Sequence, residues 1–250
     1  MENKNILITG SEGLIGKNLI NFFKKKNHNI FRLDIVKNIR EKNYFRCDIT
    51  NENQVKKIIN EISKNVKIDI LINNAAFNPK HNSKTYTFVD YDVKKWRKNI
   101  EVDLIGSFLV TKYVARIFEK YNKGLILNIS SIYGIIAPDH NIYNHKKSTK
   151  FLGSKPIEYS IAKAGLIGFT KSLASYYSGT NIKVASLSLG GIYTPDMDKK
   201  FVKNYSNKTI EKRLADINDY NEFINFLCEG KMKYFSGTNF VLDGGATSIL

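Results

Sequence analysis

The first 34 residues of the chain alternate between an apolar strand pattern, a glycine-rich turn, a helix pattern and a second strand pattern. Asn5 to Ile8 predicts a short buried strand, Gly10, Gly13 and Gly16 occupy the turn, and Ile30 to Asp34 predicts the next strand. A helix that begins on such a turn offers unpaired N–H groups and the positive end of its dipole to a pyrophosphate. This order predicts an α/β fold with a dinucleotide site at the first turn.

The glycines and the acidic residue after them have separate expected roles. Gly10 permits the tight turn, Gly13 lets the backbone approach phosphates, and Gly16 lets the helix pack on the strand. Asp34 lies 18 residues after Gly16, where a carboxylate accepts ribose hydroxyls and repels a 2′-phosphate. The cofactor prediction is therefore NAD, with NADP less favoured but kept open by the nearby Lys37. The plainer interpretation of Asp34 is a strand-end turn residue.

Tyr159 and Lys163 are four residues apart and would share one face of a helix. A neighbouring lysine cation favours the ionised form of a tyrosine. A tyrosine tuned in this way can exchange a proton with an alcohol or ketone oxygen. The spacing alone also occurs in ordinary pairs on helix surfaces, so its meaning depends on the rest of the chain.

Further motifs follow in a fixed order along the chain. They are Asn73-Asn74-Ala75-Ala76, Ser130-Ser131, Gly190 to Thr194 and the terminal stretch from Phe235 to Gly245. Together with the glycine turn, Asp34 and the Tyr159–Lys163 pair, they make the chain resemble the short-chain dehydrogenase/reductase family from end to end. The resemblance implies one Rossmann-like, doubly wound domain over residues 1–250, with a seven-stranded parallel sheet and helices on both faces.

The resemblance also implies roles for individual residues. Tyr159 would be the acid–base group, Lys163 would favour its ionised form and hold the nicotinamide ribose, and Ser131 would hydrogen-bond the substrate oxygen. Substrate contacts would thus come from Ser131 and Tyr159. Asp48 would meet the adenine, and Ile192 and Thr194 would contact the nicotinamide carboxamide and phosphates. The implied cofactor contacts are Gly10, Gly13, Leu14, Ile15, Gly16, Asp34, Asp48, Ile49, Asn74, Ala75, Ala76, Tyr159, Lys163, Ile192 and Thr194. Plainer alternatives are a strand-end cap for Ser131 and turn residues for Asn73 and Asn74.

Two features depart from the family pattern. Asp103 stands where the compact branch of the family usually has an Asn that positions a water beside the lysine. We include Asp103 among the predicted catalytic residues, although its negative charge would favour the Lys163 cation and weaken the pull of that cation on Tyr159. The spacing of the three glycines matches the extended, sugar-nucleotide branch, whereas the chain length and the later motifs match the compact branch.

Two segments are predicted to form the substrate region, about residues 135–157 and 194–215. Long loops at the carboxyl edge of such a sheet are commonly functional. Their basic residues either clamp phosphates or form a solvated surface, and both interpretations stay open. These residues are Lys146, Lys147, Lys150, Lys155, Lys199, Lys200, Lys203 and Arg213.

Short stretches around Ile132 to Gly134, Ala137 to Asp139 and Lys155 to Ser160 resemble bacterial oxidoreductases of flagellin and surface-glycan modification. That resemblance implies a nucleotide-activated amino sugar as substrate, an anionic small molecule. The alternatives are a 3-oxoacyl carrier reductase and a simple sugar or polyol dehydrogenase. A more distant alternative is a dinucleotide sensor without catalysis.

Composition limits the partners and the location. The net charge of +16 would suit an anionic partner, but the lysines are scattered and no nucleic-acid-binding motif accompanies them, so no nucleic-acid partner is predicted. No metal site is predicted, and Cys47 and Cys228 are expected to be reduced packing residues, one on a strand and one in a helix. Without a signal peptide or a long apolar run, a cytoplasmic protein with no membrane contact is expected. Two long predicted helices, over residues 96–121 and 157–177, imply by the family resemblance a homodimer or homotetramer.

Overall fold

A single parallel sheet is the framework of the molecule. The computed structural model describes residues 3–37, 39–77, 88–142 and 155–249. Within them, seven strands pair in the order β3-β2-β1-β4-β5-β6-β7, and every pairing is parallel. The strands are β1 (Asn5–Thr9), β2 (Asn29–Asp34), β3 (Tyr44–Arg46), β4 (Ile70–Asn73), β5 (Gly124–Ser131), β6 (Ile182–Leu189) and β7 (Asn239–Leu242). The predicted fold class is confirmed.

Helices connect the strands and cover both faces of the sheet. They are α1 (Leu14–Lys25), α2 (Glu52–Asn65), α3 (Val93–Ile100), α4 (Ser107–Tyr121), α5 (Ile157–Tyr176), α6 (Lys199–Asn207) and α7 (Asn221–Cys228). One buried cluster joins α2 and α4 to one face, and another joins α1 and α7 to the opposite face. Strands β4 and β5 are buried throughout, which explains their nearly continuous apolar sequence.

Helical structure over the predicted 96–121 segment is continuous but not uniform. It begins at Val93, and a π-helical turn, Glu101–Gly106, separates α3 from α4. A π-turn inserts an extra residue into the helix and is common at functional sites. Here it contains Asp103, so the irregular turn positions one of the predicted catalytic residues.

Two further expectations need correction. Cys47 lies directly after β3 rather than on a strand, although it is buried, as expected of a packing residue. The predicted loop over residues 194–215 contains helix α6, which begins where the Asp198 side chain accepts the N–H groups of Lys200 and Phe201. Of the other predicted loop, residues 143–154 lie outside the described residues.

Candidate active site

A cleft of about 1110 Å³ opens at the carboxyl ends of the strands. It includes the point where the strand order reverses between β1 and β4, the usual ligand site of open α/β sheets. Gly16 and Asp103 do not line this cleft. The other predicted site residues all do: Gly10, Gly13, Leu14, Ile15, Asp34, Asp48, Ile49, Asn74, Ala75, Ala76, Ser131, Tyr159, Lys163, Ile192 and Thr194.

The glycine turn forms a close-packed cradle at one end of the cleft. Gly10 has a φ of 63°, and a Cβ added to it would lie 2.6 Å from the Cα of Ala75. A Cβ on Gly16 would lie 2.3 Å from the carbonyl oxygen of Gly10, so Gly16 serves helix packing rather than contact with a ligand. Gly13 is the N-cap of α1 and has no side chain to cap it, which leaves first-turn N–H groups available to an anion. This cradle fits the pyrophosphate of a dinucleotide.

Asn74 braces this cradle from the neighbouring strand. Its Nδ2 donates to the carbonyl oxygens of Thr9 (3.0 Å) and Gly10 (2.9 Å). The Thr9 hydroxyl in turn accepts the N–H groups of Asn74 (3.0 Å) and Ala75 (3.1 Å). Asn74 therefore fixes the shape of the turn in addition to lining the cleft.

Carboxylates cluster where β2 meets the cleft. Asp34 accepts the Glu12 N–H at 2.8 Å and the Val36 N–H at 3.2 Å. Arg32, a buried residue of β2, pairs with both Glu12 and Glu41. Burial, followed by Asp34 and Glu12, raises the pKa of the nearby Tyr44 to about 12. Lys17 and Lys24 also pair with Glu12 and Glu41, so of these three carboxylates Asp34 is the one that has no cation within ion-pair distance among the described residues. Glu12, which lines the cleft, is a site residue that was not predicted from the sequence.

The predicted catalytic residues meet at the opposite end of the cleft, where β5 ends beside α5. Lys163 Nζ donates to the Ile129 carbonyl at 3.0 Å and lies 5.7 Å from the centre of the Tyr159 ring. Ser131 lines the cleft, and its hydroxyl accepts the Tyr133 N–H at 3.2 Å. Ser131 therefore caps the short helical turn after β5, as its plainer interpretation predicts, while it also faces the cleft.

Close approach of α5 to β5 depends on two small residues. A Cβ on Gly134 would lie 2.7 Å from the carbonyl carbon of Lys163. The Ser130 hydroxyl donates to the Lys163 carbonyl oxygen at 2.8 Å. These contacts explain why a Ser-Ser pair and a glycine precede the Tyr159–Lys163 helix in the sequence.

Asp103 is fully buried behind Lys163. One of its oxygens accepts the Phe77 N–H at 2.6 Å, and the other lies 3.6 Å from Lys163 Nζ. Among the described residues this second oxygen has no hydrogen-bond partner. Burial raises the pKa of the Asp103 carboxyl, although the Lys163 cation opposes that shift. The structure thus brings the expected charge next to Lys163, and the role of that charge stays a prediction.

Lys155 and Tyr205 belong to the same end of the cleft. Lys155 Nζ lies 4.0 Å from the centre of the Tyr159 ring and 6.0 Å from that of Tyr133. The Tyr205 hydroxyl accepts the Gly191 N–H at 2.6 Å. In the sequence, Lys155 is one basic loop residue among several, and Tyr205 was not predicted as a site residue. For Lys155, its position four residues before Tyr159 was the available signal.

Neither a metal-ligand cluster nor a membrane-spanning helix occurs among the described residues. In the part of the chain that the structure describes, no group of three or more His, Cys, Asp or Glu side chains is placed to hold a metal ion. The helices in the described ranges include none that is long and apolar enough to cross a membrane.

Known proteins resemble this chain in sequence and in fold. The sequence profile of the short chain dehydrogenase family matches residues 4–206. A short chain dehydrogenase from Leptospira borgpetersenii, solved with bound NAD⁺, has 32% identity and a TM-score of 0.86, over 99% of this chain and 94% of that one. ElxO, solved with NADP bound, has 25% identity and a TM-score of 0.81, over 99% of this chain and 100% of its own.

Two curated relatives bear on the substrate alternatives. The 3-oxoacyl-[acyl-carrier-protein] reductase of Thermotoga maritima is 28% identical, over 98% of both chains. Post-translational flagellin modification protein A of Campylobacter coli is also 28% identical, over 98% of both chains. With a family profile over most of its length and a matching cleft, the chain belongs to the short-chain dehydrogenase/reductase family and is an NAD(P)-dependent oxidoreductase acting on CH–OH groups.

Proposed function

We propose that the chain interconverts a secondary alcohol and a ketone with NAD(H), using Tyr159 as the acid–base group. The observation that carries this proposal is the meeting of Ser131, Tyr159 and Lys163 in one cleft with a pyrophosphate cradle and Asp34. A sensor that only binds the dinucleotide would not need an acid–base group beside the cradle.

Each residue has one task in this reaction. When bound, the nicotinamide cofactor supplies the hydride acceptor or donor. Ser131 donates a hydrogen bond to the substrate oxygen and orients it. Tyr159 takes the alcohol proton during oxidation and returns it during reduction. Lys163, held by the Ile129 carbonyl, stabilises the ionised form of Tyr159 through its positive charge.

The preference for NAD over NADP rests on the carboxylates near β2. Asp34 would accept the hydroxyls of the adenosine ribose, and its unpaired charge would repel a 2′-phosphate. Glu12 is already paired with the buried Arg32, so that cation is not free to receive a phosphate. The solved relatives include one with NAD⁺ and one with NADP, so membership of the family does not by itself select the cofactor.

For the substrate we propose a nucleotide-activated amino sugar used in surface-glycan or flagellin modification. The similarity to the Campylobacter coli flagellin modification protein supports this choice. A cytoplasmic location and a homodimer or homotetramer remain predictions that accompany the proposal.

A 3-oxoacyl carrier reductase is the second candidate. The Thermotoga maritima reductase matches this chain at the same identity and coverage as the flagellin modification protein. The basic surface would suit an acidic carrier, whereas the carboxylates at the ribose end favour NAD.

The deciding experiment titrates the purified protein with NAD⁺ and NADP⁺ and then follows the absorbance of the reduced nicotinamide. The substrates are a panel of GDP-, UDP- and CMP-linked sugars, an acetoacetyl thioester and simple polyols. Reduction of NAD⁺ by one nucleotide sugar supports the proposal. Turnover of the thioester alone favours the second candidate, and tight NAD⁺ binding without any turnover favours a sensor.

A further inference from the structure

Lys155 is a second lysine beside Tyr159, and the reaction described above does not use it. It lies just before α5, which begins at Ile157 with Pro156 as its N-cap. Its ammonium lies against the Tyr159 ring, 4.0 Å from the ring centre, and it lines the cleft. A cation on an aromatic face is only weakly stabilised by that contact.

The charges around Lys155 do not balance. Burial lowers the pKa of the Lys155 ammonium, and the nearby Lys163 cation lowers it further, while Tyr159 and Asp103 oppose the shift. Asp103 is the acidic group of this cluster, and it lies within ion-pair distance of Lys163. Among the described residues, no carboxylate lies within ion-pair distance of Lys155. A partly buried cation without an anion is costly, and an anionic ligand would offset that cost.

We propose that Lys155 binds an anionic group of the substrate, a carboxylate or a phosphoryl group, held next to the carbon that is oxidised or reduced. This inference rests on the proposed function, because it assigns the substrate to the cleft in which Tyr159 acts. The pyrophosphate of the cofactor belongs to the glycine cradle, which another part of the cleft provides. The positive site at Lys155 is therefore left for the substrate.

The position of Lys155 also indicates which part of the substrate would carry the anionic group. Because Lys155 covers a face of the Tyr159 ring, a group bound to it lies beside the oxygen that exchanges its proton with Tyr159. Ser131 and Tyr159 hold that oxygen, so the anion would be on a neighbouring part of the same molecule. Such a contact would select substrates by charge and orient the reacting carbon.

The test uses the protein saturated with NAD⁺, so that the cradle is filled, and measures the unfolding temperature against added anion at constant ionic strength. The probes are sodium acetate, inorganic phosphate and the neutral acetamide. The variants are K155M, which removes the charge, K155R, which keeps it, and K57M, which removes an exposed lysine on α2. Equal NAD⁺ affinity establishes that each variant is folded.

Wild type, K155R and K57M are expected to be stabilised by acetate or phosphate but not by acetamide. In K155M the apparent anion affinity should fall about 10-fold or more, as when a charged contact is lost. An unchanged anion response in K155M, or no anion response in wild type, overturns the proposal. The response to acetate against phosphate distinguishes a carboxylate from a phosphoryl group.

The pH dependence provides a second readout. The charged and titratable groups facing Lys155 are Tyr159 and Lys163 on α5, Asp103 on the π-turn and Tyr133 after β5. Anion binding that requires charged Lys155 is lost as pH rises through its lowered pKa, which should occur below the pH at which an exposed lysine titrates. The measurement needs no turnover, so its failure leaves the chemistry of Tyr159 untouched, and an absence of turnover leaves its result intact.

Discussion

The two ends of the cleft differ in the charge that is left without an ion-pair partner. At the ribose end, Glu12 and Glu41 pair with the buried Arg32 and with the more exposed Lys17 and Lys24, whereas Asp34 has no ion-pair partner among the described residues. At the catalytic end, Lys155 and Lys163 surround one buried carboxylate, Asp103. Both ends bury an ion pair, but among the described residues the charge without an ion-pair partner is the Asp34 carboxylate at one end and the Lys155 ammonium at the other.

This difference assigns different work to the two ends. We expect the unpaired Asp34 carboxylate to accept neutral ribose hydroxyls and to repel a 2′-phosphate, and so to discriminate between cofactors. We expect the lysines of the other end to favour the ionised form of Tyr159 and to attract an anionic substrate, and so to serve the reaction. Neither buried pair needs to stabilise the fold, because the desolvation of two charges commonly offsets their attraction.

The role proposed for the catalytic end depends most strongly on Tyr159, because this residue would exchange the proton with the substrate. Replacing Tyr159 with Phe removes the proton donor and should reduce turnover by about 10³-fold, within the usual range for general acid–base catalysis. Cofactor binding at the opposite end should persist. The measurement compares steady-state turnover with NAD⁺ affinity, with the fully exposed Tyr234→Phe as control. Near-normal turnover in Y159F would contradict the proposed mechanism.

Substitutions in the glycine cradle test the ribose end separately from the catalytic end. Gly10→Ala places a Cβ 2.6 Å from Ala75 at a φ of 63°, so it should destabilise the protein by about 1–3 kcal/mol and weaken NAD⁺ binding. Gly168→Ala is the matched control, because its Cβ would meet nothing within 4 Å and helix propensity favours Ala by about 1 kcal/mol. Thermal unfolding and NAD⁺ titration measure both effects. Equal stability of the two variants would contradict the close packing at Gly10.

The two ends also differ in how far the sequence could predict them. The ribose end is local in sequence, since Gly10, Gly13, Gly16 and Asp34 fall within one strand-turn-helix-strand unit whose glycines have sterically fixed roles. The chain order predicted the sheet for the same reason, because alternating strands and helices leave few parallel topologies.

At the catalytic end the spacing of Tyr159 and Lys163 was predictable, but the charges around them were not. Asp103 reaches Lys163 only through a π-turn, and periodicity does not reveal an extra residue in a helical turn. Lys155 precedes the helix that carries Tyr159, and its contact depends on where the chain enters α5. Tyr205 reaches Gly191 from α6, inside a segment that we expected to be a loop.

The unpaired carboxylate at the ribose end is tested by Asp34→Asn. The amide keeps an oxygen for the Glu12 N–H but removes the charge that would repel a 2′-phosphate, so the preference for NAD over NADP should fall roughly 10-fold. Glu12→Gln should shift the same ratio in the same direction. The ratio of kcat/KM for the two cofactors is the measurement, with Lys57→Met as a distant charge control. An unchanged ratio in both variants would remove these carboxylates from cofactor choice.

Asp103→Asn should have the smallest effect on turnover, within about 10-fold, because an amide oxygen can still accept the Phe77 N–H. Its effect on stability has a definite sign. Burial raises the pKa of the Asp103 carboxyl in the folded protein. The stability linked to its protonation is therefore fully present below the pKa of Asp in the unfolded chain, about 4, and is lost as pH rises through the pKa of the folded state. Asp103→Asn should abolish that loss.

Asp139→Asn is the control with the opposite sign. The pKa of Asp139 is lowered by a hydrogen bond from the Asn141 backbone and by the contact with Lys208. Its contribution to stability is therefore present above the pKa of Asp in the unfolded chain and is lost as pH falls. Denaturant unfolding of wild type and both variants from pH 3 to 8 separates the two slopes. If Asp103→Asn instead lost turnover severely while its stability profile matched wild type, the carboxylate would act on Lys163 during the reaction. The catalytic end of the cleft would then require the buried Asp103 carboxylate for the reaction.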